Sequence, residues 1–195
     1  MCVFTMPAQA NMNGNRSHLH NMDLDILYRA LAAAETGGEK NPFIRTRVQP
    51  KGGSTAFGPV QITNTLASDV MTRGADFVNP EALTFYNDVM SPMYATMLKH
   101  GGNKGKINDY NPIYDYGGGA GFDVKEHADD YENYAKEIMR FLVDKEEKSG
   151  ENLVERWRGK PRKSDKRYYK EFDKTYNNLM KQKATEKEMK RQLSP

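Results

Sequence analysis

The helical spacing of apolar residues is the feature that most constrains the fold of this 195-residue chain. Within residues 126–148, apolar side chains recur three or four positions apart, which places them on one face of a helix. These residues are Tyr131, Tyr134, Ala135, Ile138, Phe141 and Leu142. Such a stripe is typical of a buried core face and not of a cofactor site. Comparable patterns predict helices over residues 23–35, 64–73, 80–100, 126–148, 152–157 and 164–182.

Few segments alternate between apolar and polar residues as a strand does. A short hairpin is expected within residues 45–55, where a Thr-Arg-Val run precedes Pro50 and two glycines. The sequence therefore predicts a mainly helical α+β fold with at most a small β-hairpin. One domain over residues 23–182 is expected, with an N-terminal arm over residues 1–22 and a polar basic tail over residues 183–195. The composition, 37% hydrophobic and 28% charged, indicates a globular chain that can bury a core.

Cysteine and histidine usage gives no sign of a metal site. The single cysteine, Cys2, excludes an intrachain disulfide and a cysteine metal cluster. The histidines are scattered, at His18, His20, His100 and His127, so surface or capping roles are expected for them. We predict no cofactor and no metal. No stretch approaches the about 20 apolar residues of a transmembrane helix, and the N-terminus lacks the pattern of a signal peptide.

A glutamate at the end of the first predicted helix is the strongest candidate for chemistry. Glu35 falls on the apolar stripe of a helix that Asp23 can cap, and the glycines that follow it, Gly37 and Gly38, can end that helix. A carboxyl at the edge of an apolar face is poorly solvated when charged, which favours the protonated form needed by a general acid. The alternative is that Glu35 only carries the helix end into solvent, where its charge would oppose the helix dipole.

A loop of small residues follows and ends in an amide. Glycines at 52, 53 and 58 allow its backbone to approach a ligand closely, and Pro59 restricts its exit. In the run Val60, Gln61, Ile62 the apolar residues can anchor the segment while Gln61 faces a cleft. An amide there can both donate to and accept from a sugar. The alternative for Gln61 is an ordinary side chain at the entry of a helix.

These motifs resemble the lysozyme-like superfamily, most closely its soluble lytic transglycosylase type. In that family Glu-Ser precedes Asn-Pro, and Gly-Leu-Met-Gln follows. This chain has Glu35-Thr36 before Asn41-Pro42, and then Gly58-Pro59-Val60-Gln61. Threonine keeps a hydroxyl beside the acid where the family has serine, and Pro-Val replaces Leu-Met. The resemblance covers about 40 residues, 23–63. It implies a lysozyme-like fold, Glu35 as the catalytic acid/base, Gln61 as a glycan contact, and Thr36 and Asn41 as residues that shape the loop.

Three aromatic residues are further candidates for contact with the glycan. Tyr114 and Tyr116 flank Asp115 before a glycine-rich run, which could cover the substrate or could simply connect two helices. That run lacks the lysine and hydroxyl of a nucleotide-binding loop. Trp157 could stack on a sugar, although the single tryptophan of a small domain is more often a core anchor. The segment 157–169 loosely corresponds to the tyrosine-containing cap that closes the cleft in the family.

The activity that the resemblance implies is cleavage of the β-1,4 bond between N-acetylmuramic acid and N-acetylglucosamine, with 1,6-anhydro ends as product. A hydrolytic muramidase remains open, with Glu39, Asp69 or Asp115 as a water-activating partner. A chitinase-like glycosidase is a further alternative. From another class, a non-enzymatic virion or nucleic-acid-binding protein would use the C-terminal helices.

The charge is unevenly distributed along the chain. From Lys145 onward there are 16 Lys and Arg against 9 Asp and Glu, a net charge of +7, whereas residues 1–144 carry 13 against 17, a net of −4. The basic end could attract an anionic wall, a membrane surface or nucleic acid, or could be an ordinary solvated helix face. We expect peptidoglycan glycan strands as the partner, and no nucleic acid. For a chain without a signal peptide, the resemblance to peptidoglycan-cleaving enzymes implies a phage protein that leaves the host cytoplasm through holin lesions or that travels in the virion.

Overall fold

A computed structural model describes residues 23–37, 43, 46–48, 55–101, 122, 124–148 and 150–193. The helices are α1 (Leu24–Thr36), α2 (Asn64–Arg73), α3 (Pro80–Phe85), α4 (Ser91–Gly101), α5 (Val124–Asp144), α6 (Gly150–Arg158) and α7 (Lys166–Leu193). A π-helical segment, Tyr86–Met90, joins α3 to α4, and a 3-10 turn, Arg162–Ser164, precedes α7. The strands are β1 (Thr46–Val48), β2 (Thr55–Phe57) and β3 (Ile62–Thr63).

The predicted fold class is confirmed, because the described chain is mainly helical with a small antiparallel sheet. All six predicted helices are present, and the segment predicted as 80–100 is α3, the π-helical segment and α4 in succession. The predicted end of the last helix at residue 182 is wrong, since α7 continues to Leu193. From residue 180 onward the described residues of α7 are all exposed, so no apolar stripe marked this part of the helix in the sequence.

The sheet is slightly larger than the predicted hairpin. Its order is β1-β2-β3 and both pairings are antiparallel, with Thr46 opposite Phe57 in the first and Phe57 opposite Ile62 in the second. The hairpin of β1 and β2 was expected, whereas β3 was not. A two-residue strand is too short to show alternation, which is why the sequence pattern did not reveal it.

Helix α1 has the boundaries that its caps predict. The Asp23 carboxylate accepts hydrogen bonds from the backbone N–H groups of Asp25 and Ile26, at 3.0 and 3.1 Å. At the other end, Gly37 adopts a left-handed conformation (φ 62°) and donates its N–H to the Ala33 carbonyl at 3.0 Å. A glycine accepts this conformation without steric cost, so the helix ends directly after the turn that carries Glu35.

Buried tyrosines attach the small sheet to the helical core. The apolar stripe predicted on α5 is buried throughout. From this helix, the Tyr131 hydroxyl donates to the Phe57 carbonyl at 2.6 Å. From α4, the Tyr94 hydroxyl donates to the Ile62 carbonyl at 2.9 Å. Since two- and three-residue strands are marginal alone, these contacts and the surrounding aromatic packing stabilise the sheet.

Helices α1 and α7 pack against each other along most of α1. They run in opposite directions, because Asp23 at the start of α1 pairs with Lys183 late in α7, while Glu35 at its end lies close to Arg158 and Tyr168. The buried side chains of α7 are Tyr168, Tyr169 and Phe172. This packing places the end of α6 and the start of α7 beside the end of α1.

Gly58 provides a test of the link between the sheet and α5. Its φ is +77°, and a Cβ built there would lie 2.4 Å from the Tyr131 ring. Gly58→Ala is expected to lower the free energy of unfolding by about 2–4 kcal/mol, because backbone strain and overpacking both act. Urea denaturation measures this loss. Gly37→Ala is the matched control, since its φ is also positive (+62°) but no atom of the described residues lies within 4 Å of the added Cβ. Equal losses in the two variants would contradict the close contact with Tyr131.

A second test concerns four ion-paired residues that join α2, α6 and the segment just after α5, namely Asp69, Arg73, Glu146 and Arg156. Hydrogen bonds from Arg73 and Arg156 lower the pKa of Asp69, against a smaller opposing effect of burial. Burial would raise the pKa of Glu146, but the same two arginines together lower it.

Both carboxyl groups have a lower pKa in the folded protein than in the unfolded chain. The ion pairs therefore stabilise the fold at a pH above the unfolded-state pKa values, and this stabilisation is lost as the pH falls through the folded-state pKa values. We expect the urea concentration at the unfolding midpoint to decrease as the pH is lowered below about 4.5. This decrease should be smaller in the double variant Asp69→Asn/Glu146→Gln. The control double variant, Asp76→Asn/Glu81→Gln, removes two exposed carboxylates, and its urea midpoint should decrease with pH as much as that of the wild type. An equally large decrease in Asp69→Asn/Glu146→Gln would contradict the role of these ion pairs.

Candidate functional site

Glu35 is buried at the C-terminal end of α1, and its side chain is only 4% exposed. The sequence predicted this placement, because Glu35 continues the apolar stripe of α1 to the glycine that ends the helix. The alternative, a carboxylate that carries the helix end into solvent, is wrong. A buried carboxyl requires partners that satisfy it, and α6 and α7 supply them.

Arg158, the last residue of α6, faces Glu35. Its Nη1 lies 3.7 Å from the Glu35 Oε2. The other edge of the guanidinium is held by Asp165, because Nε and Nη2 donate to Oδ2 of that residue at 3.1 and 2.8 Å. The guanidinium also lies over the Tyr168 ring, 4.9 Å from its centroid. Arg158 is thus fixed from two sides, with one nitrogen directed at Glu35.

Tyr168 is the second partner of Glu35. Its pKa is raised well above the usual range, first because burial disfavours the phenolate, and then because the nearby Glu35 carboxylate favours the neutral hydroxyl over the phenolate. The buried hydroxyl has no hydrogen-bond partner of normal geometry among the described residues. Tyr168 therefore remains a neutral hydroxyl next to Glu35.

The charges of Glu35 and Arg158 stabilise each other. Burial would lower the pKa of Arg158, but the carboxylates of Glu35 and Asp165 outweigh it and raise that pKa. By the same Coulomb attraction, Arg158 stabilises the charged form of Glu35. The sequence alone indicated only the opposing effect, which is desolvation of the carboxyl.

Two cavities lie beside Glu35 and Arg158, and both residues line each of them. The first cavity, about 350 Å³, lies between the sheet and α6. Its other polar lining residues include Thr55, Gln61, Thr63, Thr65, Arg156 and Lys160. The second cavity, about 670 Å³, lies between α1 and α7. Its other lining residues include Thr36, Asp165, Arg167, Tyr168 and Glu171. A chain-like ligand could therefore occupy both sides of Glu35.

Gln61 lines the first cavity, as the sequence predicted, and it has a left-handed backbone with φ 50°. Its side-chain Nε2 donates to the Gly58 carbonyl at 2.9 Å, and its backbone N–H donates to the same oxygen at 3.0 Å. The alternative of a helix-entry side chain is wrong, since Gln61 precedes β3 and α2 begins at Asn64. A left-handed non-glycine residue costs about 1 kcal/mol or more, and such residues cluster at functional sites.

Trp157 is a core anchor that also lines the first cavity. It is 3% exposed, and its indole N–H donates to the Val60 carbonyl at 2.9 Å. This hydrogen bond holds the turn before Gln61 against α6. A core position was the favoured interpretation of a single tryptophan. The predicted contact between Trp157 and substrate stays a prediction.

The remaining predicted residues fall into two groups. Thr36 is buried beside the second cavity, and its hydroxyl donates to the Ala32 carbonyl at 2.7 Å, within its own helix. Asp69 lies on α2 in the ion pairs with Arg73 and Arg156. The other predicted residues lie outside the described part of the chain; they are Asn41, Tyr114 and Tyr116, together with the candidate acids Glu39 and Asp115.

The residues that sequence reasoning left without a role are Arg158, Asp165 and Tyr168. All three lie within the segment 157–169, which was predicted as a cap over the cleft. The sequence shows their charge and aromatic character, but it does not show that they lie beside Glu35. Only the packing of α7 on α1 brings them to Glu35, which is more than a hundred positions away in sequence.

Among the described residues, no group of three or more side chains suited to metal binding lies together. None of the described helices is both long and apolar enough to cross a membrane. No protein-family model matches the sequence, and no curated protein or solved structure is significantly similar to it.

Proposed function

We propose that this chain is a lytic transglycosylase that cleaves the bacterial peptidoglycan strand with Glu35 as its single acid/base. One observation carries the proposal, namely a buried carboxyl that lines two cavities. A polymer that passes through both cavities would present the bond between two sugars to Glu35. The resemblance of the surrounding motifs to lytic transglycosylases supplies the substrate class, and a phage endolysin or virion enzyme is the setting in which we place it.

The reaction begins with proton transfer from the Glu35 carboxyl to the oxygen that links N-acetylmuramic acid to N-acetylglucosamine. The bond between that oxygen and C1 of the muramoyl unit breaks. The Glu35 carboxylate then takes the proton of the muramoyl C6 hydroxyl, and O6 bonds to C1. A 1,6-anhydro ring results and Glu35 regains its proton. No water is consumed, and the attacking hydroxyl is already held near C1.

Glu35 has surroundings that suit both halves of this cycle. Burial favours the protonated acid that the first step uses. Arg158 stabilises by its charge the carboxylate that remains after proton transfer, and Tyr168 places a neutral hydroxyl beside it. A group that must give and regain a proton benefits from this balance.

The described acids favour the use of one carboxylate over two. Asp165 lines the second cavity with Glu35, but it binds Arg158, and that guanidinium lies between the two carboxylates. Asp69 is occupied by Arg73 and Arg156, so it is poorly placed to activate water. A hydrolytic muramidase would need a different second acid, for which Glu39 and Asp115 remain candidates outside the described residues.

Glu35→Gln is expected to lower the rate of glycan release from purified peptidoglycan by roughly 10²- to 10⁴-fold, because the amide cannot donate the proton. Mass spectrometry of the soluble products should show 1,6-anhydro-muramoyl ends with the wild type. Glu186→Gln, the same change at an exposed position on α7, should keep wild-type activity. Reducing ends would instead establish hydrolysis. Unchanged release by Glu35→Gln, or no release by the folded wild type, would reject the proposal.

Arg158→Gln is expected to lower kcat and to shift the alkaline limb of the pH–rate profile to higher pH. Without the guanidinium, the charged form of Glu35 is less stable, so the acid keeps its proton to a higher pH. Initial rates of glycan release measured across the pH range test this shift. Arg191→Gln, an exposed arginine near the end of α7, is the control and should leave the profile unchanged. A shift to lower pH in Arg158→Gln would contradict the assigned role.

A further inference from the structure

The two cavities beside Glu35 differ in charge. Among the described residues that line the first cavity, the charged ones other than Glu35 are cations, namely Arg156, Arg158 and Lys160. The second cavity adds the acids Asp165 and Glu171 to Glu35, against the cations Arg158 and Arg167. The first cavity is therefore the electropositive side of the site, and the second is mixed.

Among these described lining residues, Lys160 is the cation that is available to a ligand. Arg156 pairs with Asp69 and Glu146. Arg158 pairs with Asp165 and Glu35. No acidic side chain of the described residues pairs with Lys160, which is exposed at the rim.

The backbone of Lys160 is held in place. Its carbonyl accepts a hydrogen bond from the buried Tyr169 at 2.7 Å. The preceding residue, Gly159, is left-handed (φ 66°) and donates its N–H to the Glu155 carbonyl at 2.8 Å. The Lys160 side chain therefore extends from a fixed backbone position beside the cavity. A ligand has to order only that side chain.

We propose that the first cavity selects an acidic sugar unit, with Lys160 binding the carboxylate of that unit. On the proposed function, on which this inference rests, the acidic unit is an N-acetylmuramoyl residue whose lactyl carboxyl is free because the strand carries no stem peptide at that position. The neutral N-acetylglucosamine on the other side of the scissile bond then occupies the second cavity. This fixes the direction of the strand across Glu35, and it predicts that neutral chitin oligomers bind less well than acidic glycans of the same length.

A direct binding measurement tests this assignment. Trp157 is the only tryptophan of the chain and it lines the first cavity, so its fluorescence should report occupancy. In the Glu35→Gln background, which prevents turnover, the protein is titrated with peptide-free peptidoglycan oligosaccharides. The same oligosaccharides with the lactyl carboxyl reduced to an alcohol, and chitin oligomers of equal length, serve as neutral ligands.

The acidic ligand is expected to bind about two- to fivefold more tightly than the reduced one, as an exposed ion pair allows. This preference should vanish in Lys160→Gln and shrink at high salt. Lys163→Gln, which removes an exposed lysine that does not line either cavity, should retain it.

Two results would overturn the inference, namely no preference for the acidic ligand in the Glu35→Gln protein, or an equal loss of affinity for both ligands in Lys160→Gln. The proposed function is judged separately, by cleavage with wild-type Glu35. Selective binding without any cleavage would leave the inference intact and reject the transglycosylase. Cleavage without selectivity for charge would support the transglycosylase and reject the inference about the first cavity.

Discussion

The antiparallel packing of α7 on α1 is the constraint on which the site depends. Glu35 stands at the end of α1 and would face solvent if nothing lay beyond it. The start of α7 covers that end with the buried Tyr168, while Lys183 binds Asp23 at the opposite end of the pair. The same packing presents Arg158, at the end of α6, to the carboxyl. One contact between helices thus converts an ordinary helix terminus into a buried acid with two partners.

The other wall of the site depends on three side chains that bind backbone carbonyls. Tyr131, Trp157 and Tyr94 donate to the carbonyls of Phe57, Val60 and Ile62, which follow one another along β2, the turn and β3. A sheet of such short strands has too few hydrogen bonds of its own to be rigid. The donors come from α5, α6 and α4, so the helical core imposes the path of the turn. The left-handed backbone of Gln61 can persist because this path is determined from outside.

The fold was largely predictable from sequence because its helices show their apolar faces and their caps. Asp23, Gly37 and the stripe on α5 each carry a local signal, and the structure follows it. Two features lacked such a signal, namely the exposed second half of α7 and the two-residue β3. In the site, Glu35 and Gln61 were predictable because local motifs mark them. Arg158, Asp165 and Tyr168 were not, since their role comes from tertiary contacts, and charged or aromatic residues occur throughout that segment.

The pair of Arg158 and Glu35 is better explained by chemistry than by stability. Two charges removed from water lose hydration that their attraction only partly returns, so a buried ion pair contributes little to the free energy of folding. The aromatic residues of α5 and α7 already bury the apolar surface that stabilises this region. Apolar residues in place of both members of the pair would serve packing as well, whereas an apolar residue opposite Glu35 alone would leave a buried charge unpaired. A guanidinium held by Asp165 instead provides a fixed positive charge beside a carboxyl that, in the proposed reaction, alternates between its two protonation states within each turnover.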